Sequence, residues 1–475
     1  MKEIIRKNNY TILVGLLLLA LATLFIWRQE SHRHWKDYQR RYAAEHGADS
    51  LHIGVRTVVP TLTGQPELCL TCHVGIEEIS ASHPVDAFGC IICHGGERLA
   101  LDKKLVHKTL RGGRNPSDFS VVQQSCGQSP AGVACHSGYR QRWHNMIDRS
   151  QRSLQSTAAG AIAHTRFTFG LQTSPAPIYG TRHVRDDTVA PANYPAELAS
   201  LYDKLAQDSL ADKSIAMEVR FAGNCLSGGC HLNTTAKSES YYYRSTGCAA
   251  CHYLYTRDAL YQGNDITIDK TEPGHGTVHR LTTAIPYWQC NHCHNRGIYS
   301  MKQMRFIDRQ DVHPDTLAFL SREKRRAKEY YIPLAQYSQC EISLDCIDCH
   351  THNEVMGDGH IAPNKKAAVE MECQTCHGTI NAPPKWTIIR STDQRDVFIA
   401  GFNAHITVQP GDTVGVTSRG TILPALQKKN GQWQLTSKVT GERFVVPLVF
   451  GSHCEQIPKE QKSHSCHQCH DISDR

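Results

Sequence analysis

Apolar positions are spread unevenly along the 475 residues of this chain. One continuous apolar run stands out: Thr11 to Trp27, seventeen residues without a charge, led by Leu16, Leu17, Leu18 and Leu19 and edged by Tyr10 and Trp27. It just reaches the length that a bilayer span needs and predicts a transmembrane anchor over 10–27. A cleaved signal peptide competes, because Ala20-Leu21-Ala22 offers small residues at cleavage spacing. The run continues through Leu24, Phe25 and Ile26 to a tryptophan, which favours an uncleaved anchor. Lys2, Arg6 and Lys7 precede it and Arg28, Arg33, Lys36, Arg40 and Arg41 follow, so basic residues alone do not orient it.

Elsewhere the pattern is weaker. Gln29 to His46 is polar and aromatic and predicts a helix leading out of the anchor. Leu198, Leu201, Leu205 and Ile215 give Pro195 to Met217 a helical period, and His313-Pro314-Asp315 opens a second helix through Tyr331. From about Lys385 to Phe450 the apolar residues cluster in strand-like runs. There Asn430-Gly431, between Leu426 and Trp433, reads as a hairpin turn.

Composition changes the picture. Only 40% of residues are apolar, while 20 are Cys and 28 are His. A side-chain core is thinly supplied, and a bound group is expected to fill the interior. The net charge of +7 comes from scattered basic residues with no long run, a poor basis for nucleic-acid binding.

Seven times the chain reads C-x-x-C-H. The first four strings are Cys69, Cys72 and His73; Cys90, Cys93 and His94; Cys248, Cys251 and His252; and Cys290, Cys293 and His294. The other three are Cys346, Cys349 and His350; Cys373, Cys376 and His377; and Cys466, Cys469 and His470. This composition yields about 0.05 such strings by chance. Two thiols three positions apart can form thioethers with the two vinyl groups of one haem, and the following His then ligates its iron. Zinc ribbons share C-x-x-C but need no His after each pair, and a disulfide framework needs none either. Two stretched versions exist: Cys225, Cys230 and His231, and Cys126, Cys135 and His136. They raise the expected cofactors to nine haems c, or eight if the site of Cys126 and Cys135 is empty. For each stretched site the competing reading is a disulfide beside an unrelated His. Cys340 and Cys454 are left over, and a disulfide between them is expected.

Subtracting nine proximal histidines leaves nineteen. His32 and His34 beside the anchor, His292 and His467 inside motifs, and His352 next to a proximal His are poor ligands. The distal set expected is His83, His107, His144, His275, His279, His313, His360, His405 and His453, with His464 and His164 in reserve. Mostly six-coordinate iron would suit electron transfer, and an open iron would suit catalysis.

Through these motifs the chain resembles membrane-anchored bacterial multihaem cytochromes c. Gly89-Cys90 to Gly96, Asp345 to His360 and Pro273 to Cys293 are similar to segments of bacterial respiratory multihaem proteins, although no C-x-x-C-K site is present. The resemblance implies a mainly α and irregular, haem-packed fold with one N-terminal transmembrane helix and a small β insertion near the C-terminus. It implies a non-catalytic electron relay between the quinol pool, or a membrane respiratory complex, and a periplasmic or extracellular acceptor. Other cytochromes would be donor or acceptor, and nucleic acid would not be a partner. The alternative is a terminal oxidoreductase of a small nitrogen or sulfur compound. The anchor would lie in the bacterial cytoplasmic membrane with the haem domain on its outer side.

The expected organisation is a cytoplasmic tail (1–9), the anchor (10–27), a linker (28–66) and haem sites one to three (67–140). A haem-free helical segment (141–219), sites four to six (220–300) and a helical connector (301–339) follow. Sites seven and eight (340–384), the β insertion (385–450) and site nine (451–475) complete it.

Overall fold

The computed structural model describes residues 2–31, 33–47, 52–128, 132–138, 144–207, 216–226, 231–234, 246–256, 259–272, 274–294, 299–300, 305–306, 338–454 and 463–471. They fall into two compact units. One joins Met1–Thr109 to Gln262–Lys270; the other holds Leu110–Tyr261 and Thr271–Arg475.

The first unit opens with helix α1 (Lys2–Ser31), whose apolar side chains from Ile12 to Trp27 all lie exposed. The uncharged stretch of seventeen residues rises about 26 Å at 1.5 Å per residue, short of a hydrocarbon core of about 30 Å. Among the described residues no helix is long and apolar enough to cross a membrane. The expected transmembrane helix over 10–27 is therefore corrected.

Helix α2 (His34–His46) stops at Gly47, which takes the left-handed conformation. Its buried Gln39 donates through Nε2 to the carbonyls of Gly54 and Thr71, both at 2.8 Å, and accepts from the Gly54 amide at 2.9 Å. Thr71 lies inside the first C-x-x-C-H string, so α2 holds that motif in place. Gly75 is obligatory just beyond it: at φ +85° a Cβ would stand 2.2 Å from the Tyr42 ring.

In the second unit β1 (Tyr179–Gly180) pairs parallel with β3 (Glu197–Ser200), and β2 (Val184–Arg185) pairs antiparallel on its other side. The helix expected from Pro195 thus begins as a strand. Leu198 and Ser200 are buried while Glu197 and Ala199 are exposed, a period of two that local helical spacing concealed. The helix starts only at Leu201 and runs to Gln207; Ser200 Oγ accepts from the Asp203 amide at 3.1 Å, an N-cap bond. Strands β4 (Tyr299–Ser300) and β5 (Arg305–Phe306) pair antiparallel. The helix expected from His313 to Tyr331 lies outside the described residues.

Strands β6 (Trp386–Ile388), β7 (Thr413–Val416), β8 (Ile422–Lys429), β9 (Gln432–Thr436) and β10 (Arg443–Val445) form an antiparallel meander in the order β10-β9-β8-β7-β6. Between β8 and β9, Asn430 (φ 51°) and Gly431 (φ 81°) both take positive φ, as a two-residue hairpin turn requires. The inner face, with Leu423, Leu426, Trp433 and Leu435, packs on Leu344 and Ile406 and against Cys349 and Cys376. A second core of Phe119, Val122, Ile147, Leu232 and Ala250 packs against Cys126, Cys248 and Cys251. The expected mainly α and irregular fold is corrected to a mixed α/β fold with small sheets. Several of its strands are two or three residues long, too short to show a period in sequence.

Candidate cofactor-attachment sites

Each standard string whose backbone bonding is described winds into one turn that returns the His amide to the carbonyl of the first Cys. The distances are 3.1 Å for His73 to Cys69, 3.0 Å for His94 to Cys90 and 3.1 Å for His252 to Cys248. They are 3.0 Å for His294 to Cys290 and 2.8 Å for His350 to Cys346. Residues Cys373–His377 and Ser463–His470 are helical as well. Local caps start several of these turns. Buried Glu67 accepts from the amides of Cys90 (2.7 Å) and Ile91 (3.2 Å), and Asp345 forms a capping box with Asp348 ahead of Cys346.

The stretched string at Cys126 makes the same turn. The His136 amide reaches the Cys126 carbonyl at 3.1 Å and the Cys135 amide reaches the Gly127 carbonyl at 2.8 Å. An antiparallel bridge pairs Gln128 with Ala134. Cys126 and Cys135 are free thiols, so the competing disulfide is absent here. At the other stretched string His231 is described, while Cys230 and the Cys225 side chain lie outside the described residues.

The described cysteines expected as thioether anchors form no disulfide, and they differ in burial. The second thiols Cys72, Cys93, Cys251, Cys293, Cys349 and Cys376 are half-buried, while Cys135 and Cys469 are exposed. Cys93 stands beside Cys90, whose thiol is pushed up first by its bond to Cys69, then by burial, and least by Cys93. Cys469, expected as an attachment cysteine, is exposed. It falls in the last turn of the helix Ser463–His470, where Gln468, Cys469 and His470 all face solvent and only Ser465 is buried.

Four of the histidines expected as proximal ligands have a described partner on Nδ1, which leaves Nε2 for a metal. His73 faces Asp265 Oδ2 at 2.7 Å and Thr267 Oγ1 at 3.0 Å; His350 faces Glu354 Oε2 at 2.9 Å. His252 and His377 face backbone carbonyls instead, of Thr282 and Pro447, each at 2.7 Å. Metal-binding histidines ordinarily hold the ring this way, with the second nitrogen donating to a carboxylate or carbonyl. The electrostatics follow the partner. Burial works against a charged ring at His73 and His350, yet the carboxylate outweighs it and raises both. At His252 burial outweighs the Thr282 carbonyl and the ring is held low. Asp265 and Glu354 are themselves kept below the usual carboxylate range: their burial is outweighed by the histidine bonds and backbone amides.

The expected distal histidines have varied surroundings. His107 stands ring to ring with His73, centroids 6.1 Å apart at 61°. His83 Nδ1 meets Ser80 Oγ at 2.9 Å beside Phe88, and His360 Nδ1 meets Asp186 Oδ2 at 2.8 Å. His144 packs on Phe398, and His279 is half-buried. His275 Nε2 lies 3.5 Å from Arg114 Nη1, so the nitrogen a metal would use faces a cation. His405 and His453 are exposed, and His313 lies outside the described residues. His352, set aside as a ligand, has both nitrogens engaged, by Arg149 and by Asp396, each at 3.0 Å.

Sequence reasoning missed Asp265, Glu354 and Glu67. Glu354 stood four residues after a proximal His and was findable; Asp265 is 192 residues from His73 and was not. It also missed that thiols of different strings meet: Cys69 with Cys90, Cys290 with Cys346 and Cys373 with Cys466. Ligand atoms of Glu67, Cys69 and Cys90 come within 4.8 Å of one another. Glu67 is already occupied in capping the Cys90 turn, so this trio is not a closed metal site. Cys340 carries a free thiol raised by burial against the β6–β10 core, and the expected disulfide with Cys454 is corrected.

No known protein family, curated protein or solved structure matches this chain. The resemblance to membrane-anchored multihaem cytochromes c thus gains no relative. Its implied topology, a single pass through the bacterial cytoplasmic membrane with the haem domain outside, fails for want of a spanning helix among the described residues. The electron relay tied to a quinol pool or membrane complex falls with that anchor and is corrected too.

Proposed function

We propose that this chain is a covalent haem-binding protein. The Cys pairs of the nine strings would hold haem c by thioethers, and His73, His94, His136, His231, His252, His294, His350, His377 and His470 would ligate the irons. The observation that carries the reading is the turn at Cys126. A string with eight residues between its cysteines still brings His136 to the Cys126 carbonyl at 3.1 Å, as the standard strings do. A chance Cys pair beside an unrelated His has no reason to reproduce that bond.

The donor set fits such a group. His73, His252, His350 and His377 fix one ring nitrogen on Asp265, Thr282, Glu354 and Pro447 and so orient the other. Haem bound there would supply one-electron iron chemistry. The chain's own part is to anchor, orient and bury, a binding role rather than a catalytic one.

The test is haem counting on protein expressed with a haem c attachment system. Alkaline pyridine spectra of acid-extracted, denatured protein should give nine haems per chain, and Cys135→Ala should give one fewer. A wild-type count of eight, unchanged by Cys135→Ala, means that the Cys126 site is empty and removes the observation on which the reading stands. A count of zero ends the reading.

A further inference from the structure

The four described Nδ1 contacts of the proposed proximal histidines are of two kinds, a buried carboxylate or a neutral carbonyl. Resting on the haem reading above, we propose that the irons at His73 and His350 have lower reduction potentials than those at His252 and His377, with the His73 site the lowest.

The difference is electrostatic. Asp265 has no exposed surface, and Glu354 is 8% exposed. Each puts a carboxylate oxygen on the imidazole, at 2.7 and 2.9 Å, where solvent screens it little. A carboxylate accepting the Nδ1 proton makes the imidazole a stronger donor, and its charge favours Fe(III) over Fe(II). The carbonyls of Thr282 and Pro447 accept the same proton with no net charge.

A second charge separates the two carboxylate sites. Half-buried Lys438 donates to the Ile347 carbonyl and interacts electrostatically with Asp348 and Glu354. Its cation lies among the strings of Cys346 and Cys373, offsets Glu354 and pushes the His377 site further up. At His73 the Asp265 carboxylate favours positive charge on the ring.

The experiment is a spectroelectrochemical titration of holoprotein, with dithionite supplying one electron per Fe(III) through mediators, beside a haem count. Asp265→Asn keeps an acceptor and removes the charge. It should move one low-potential one-haem wave to more positive potential with the count unchanged, and Asp265→Glu should leave that wave low. Glu354→Gln should raise one other wave, and the exposed Asp187→Asn should raise none. A full haem count with unshifted waves in both Asp265→Asn and Glu354→Gln overturns the inference and leaves the haem reading standing. An equal shift in Asp265→Glu and Asp265→Asn assigns the effect to packing and overturns it as well. If Asp265→Asn does not fold, Glu354→Gln decides. A wild-type count of zero overturns the haem reading itself.

Discussion

His73 and His107 face one another across 6.1 Å, about the distance between two imidazoles that share one six-coordinate iron. Both rings are anchored, His73 by Asp265 and His107 by the Lys103 backbone. His107→Ala should therefore convert one iron from low to high spin in the EPR spectrum with no loss of haem, and added imidazole should reverse it. An all-low-spin spectrum would remove His107 from that iron. Asp396 shows the same economy in a structural role. It accepts from His352 and Arg395 through Oδ1 and from the Ile422 amide through Oδ2 at 2.7 Å, at the start of β8. Burial raises its carboxyl, but these partners outweigh it and bring it down to about 2. A depressed carboxyl stabilises the fold above its unfolded value near 4, and that stability is lost as pH falls toward 2. Asp396→Asn should cost about 2 kcal/mol at pH 7, and its gap from wild type in chemical denaturation should close between about pH 4 and 2. A gap independent of pH would show that the charge is not what stabilises.

At the level of elements, legibility followed the size of the local signal. The Asn430-Gly431 turn was readable because two residues of positive φ demand those residue types. Strands β1 to β3 were not, since two of them have two residues each and the third borrows its partners from them. The C-x-x-C-H turns were legible because their bonds close within five residues, whereas Asp265 and the meeting of Cys69 with Cys90 depend on chain closure over longer distances. Burial was not legible either: Cys93 and Cys469 hold the same place in identical patterns, yet one is half-buried and the other exposed. The β6–β10 sheet packs on Cys349 and Cys376 of the strings proposed as sites seven and eight. Trp433→Ala, removing a side chain 3% exposed in that core, should cost about 3–5 kcal/mol and lower haem loading by up to two. Full loading with an unchanged melting temperature would separate the sheet from those sites. Gly75→Ala should destabilise the first unit, because Tyr42 and the Asn264 carbonyl already fill the place of a Cβ.

Over the whole molecule, the strings of Cys69 and Cys90 lie in the first unit and the other seven in the second. Side-chain cores form small separate clusters, and two of them close directly on attachment cysteines. That is the arrangement expected when bound groups complete the interior of a chain only 40% apolar. Nine haems would also bring eighteen propionates, enough to reverse the +7 of the polypeptide. The motifs are the basis on which haem is proposed, and the membrane topology drawn from Thr11 to Trp27 did not hold. The measurement that bears most directly on covalent haem binding is the intact mass of the denatured, reduced holoprotein. The mass should exceed the 53.1 kDa polypeptide by that of nine haems, and in Cys135→Ala by that of eight. A bare polypeptide mass from cells competent in haem c attachment would contradict the assignment.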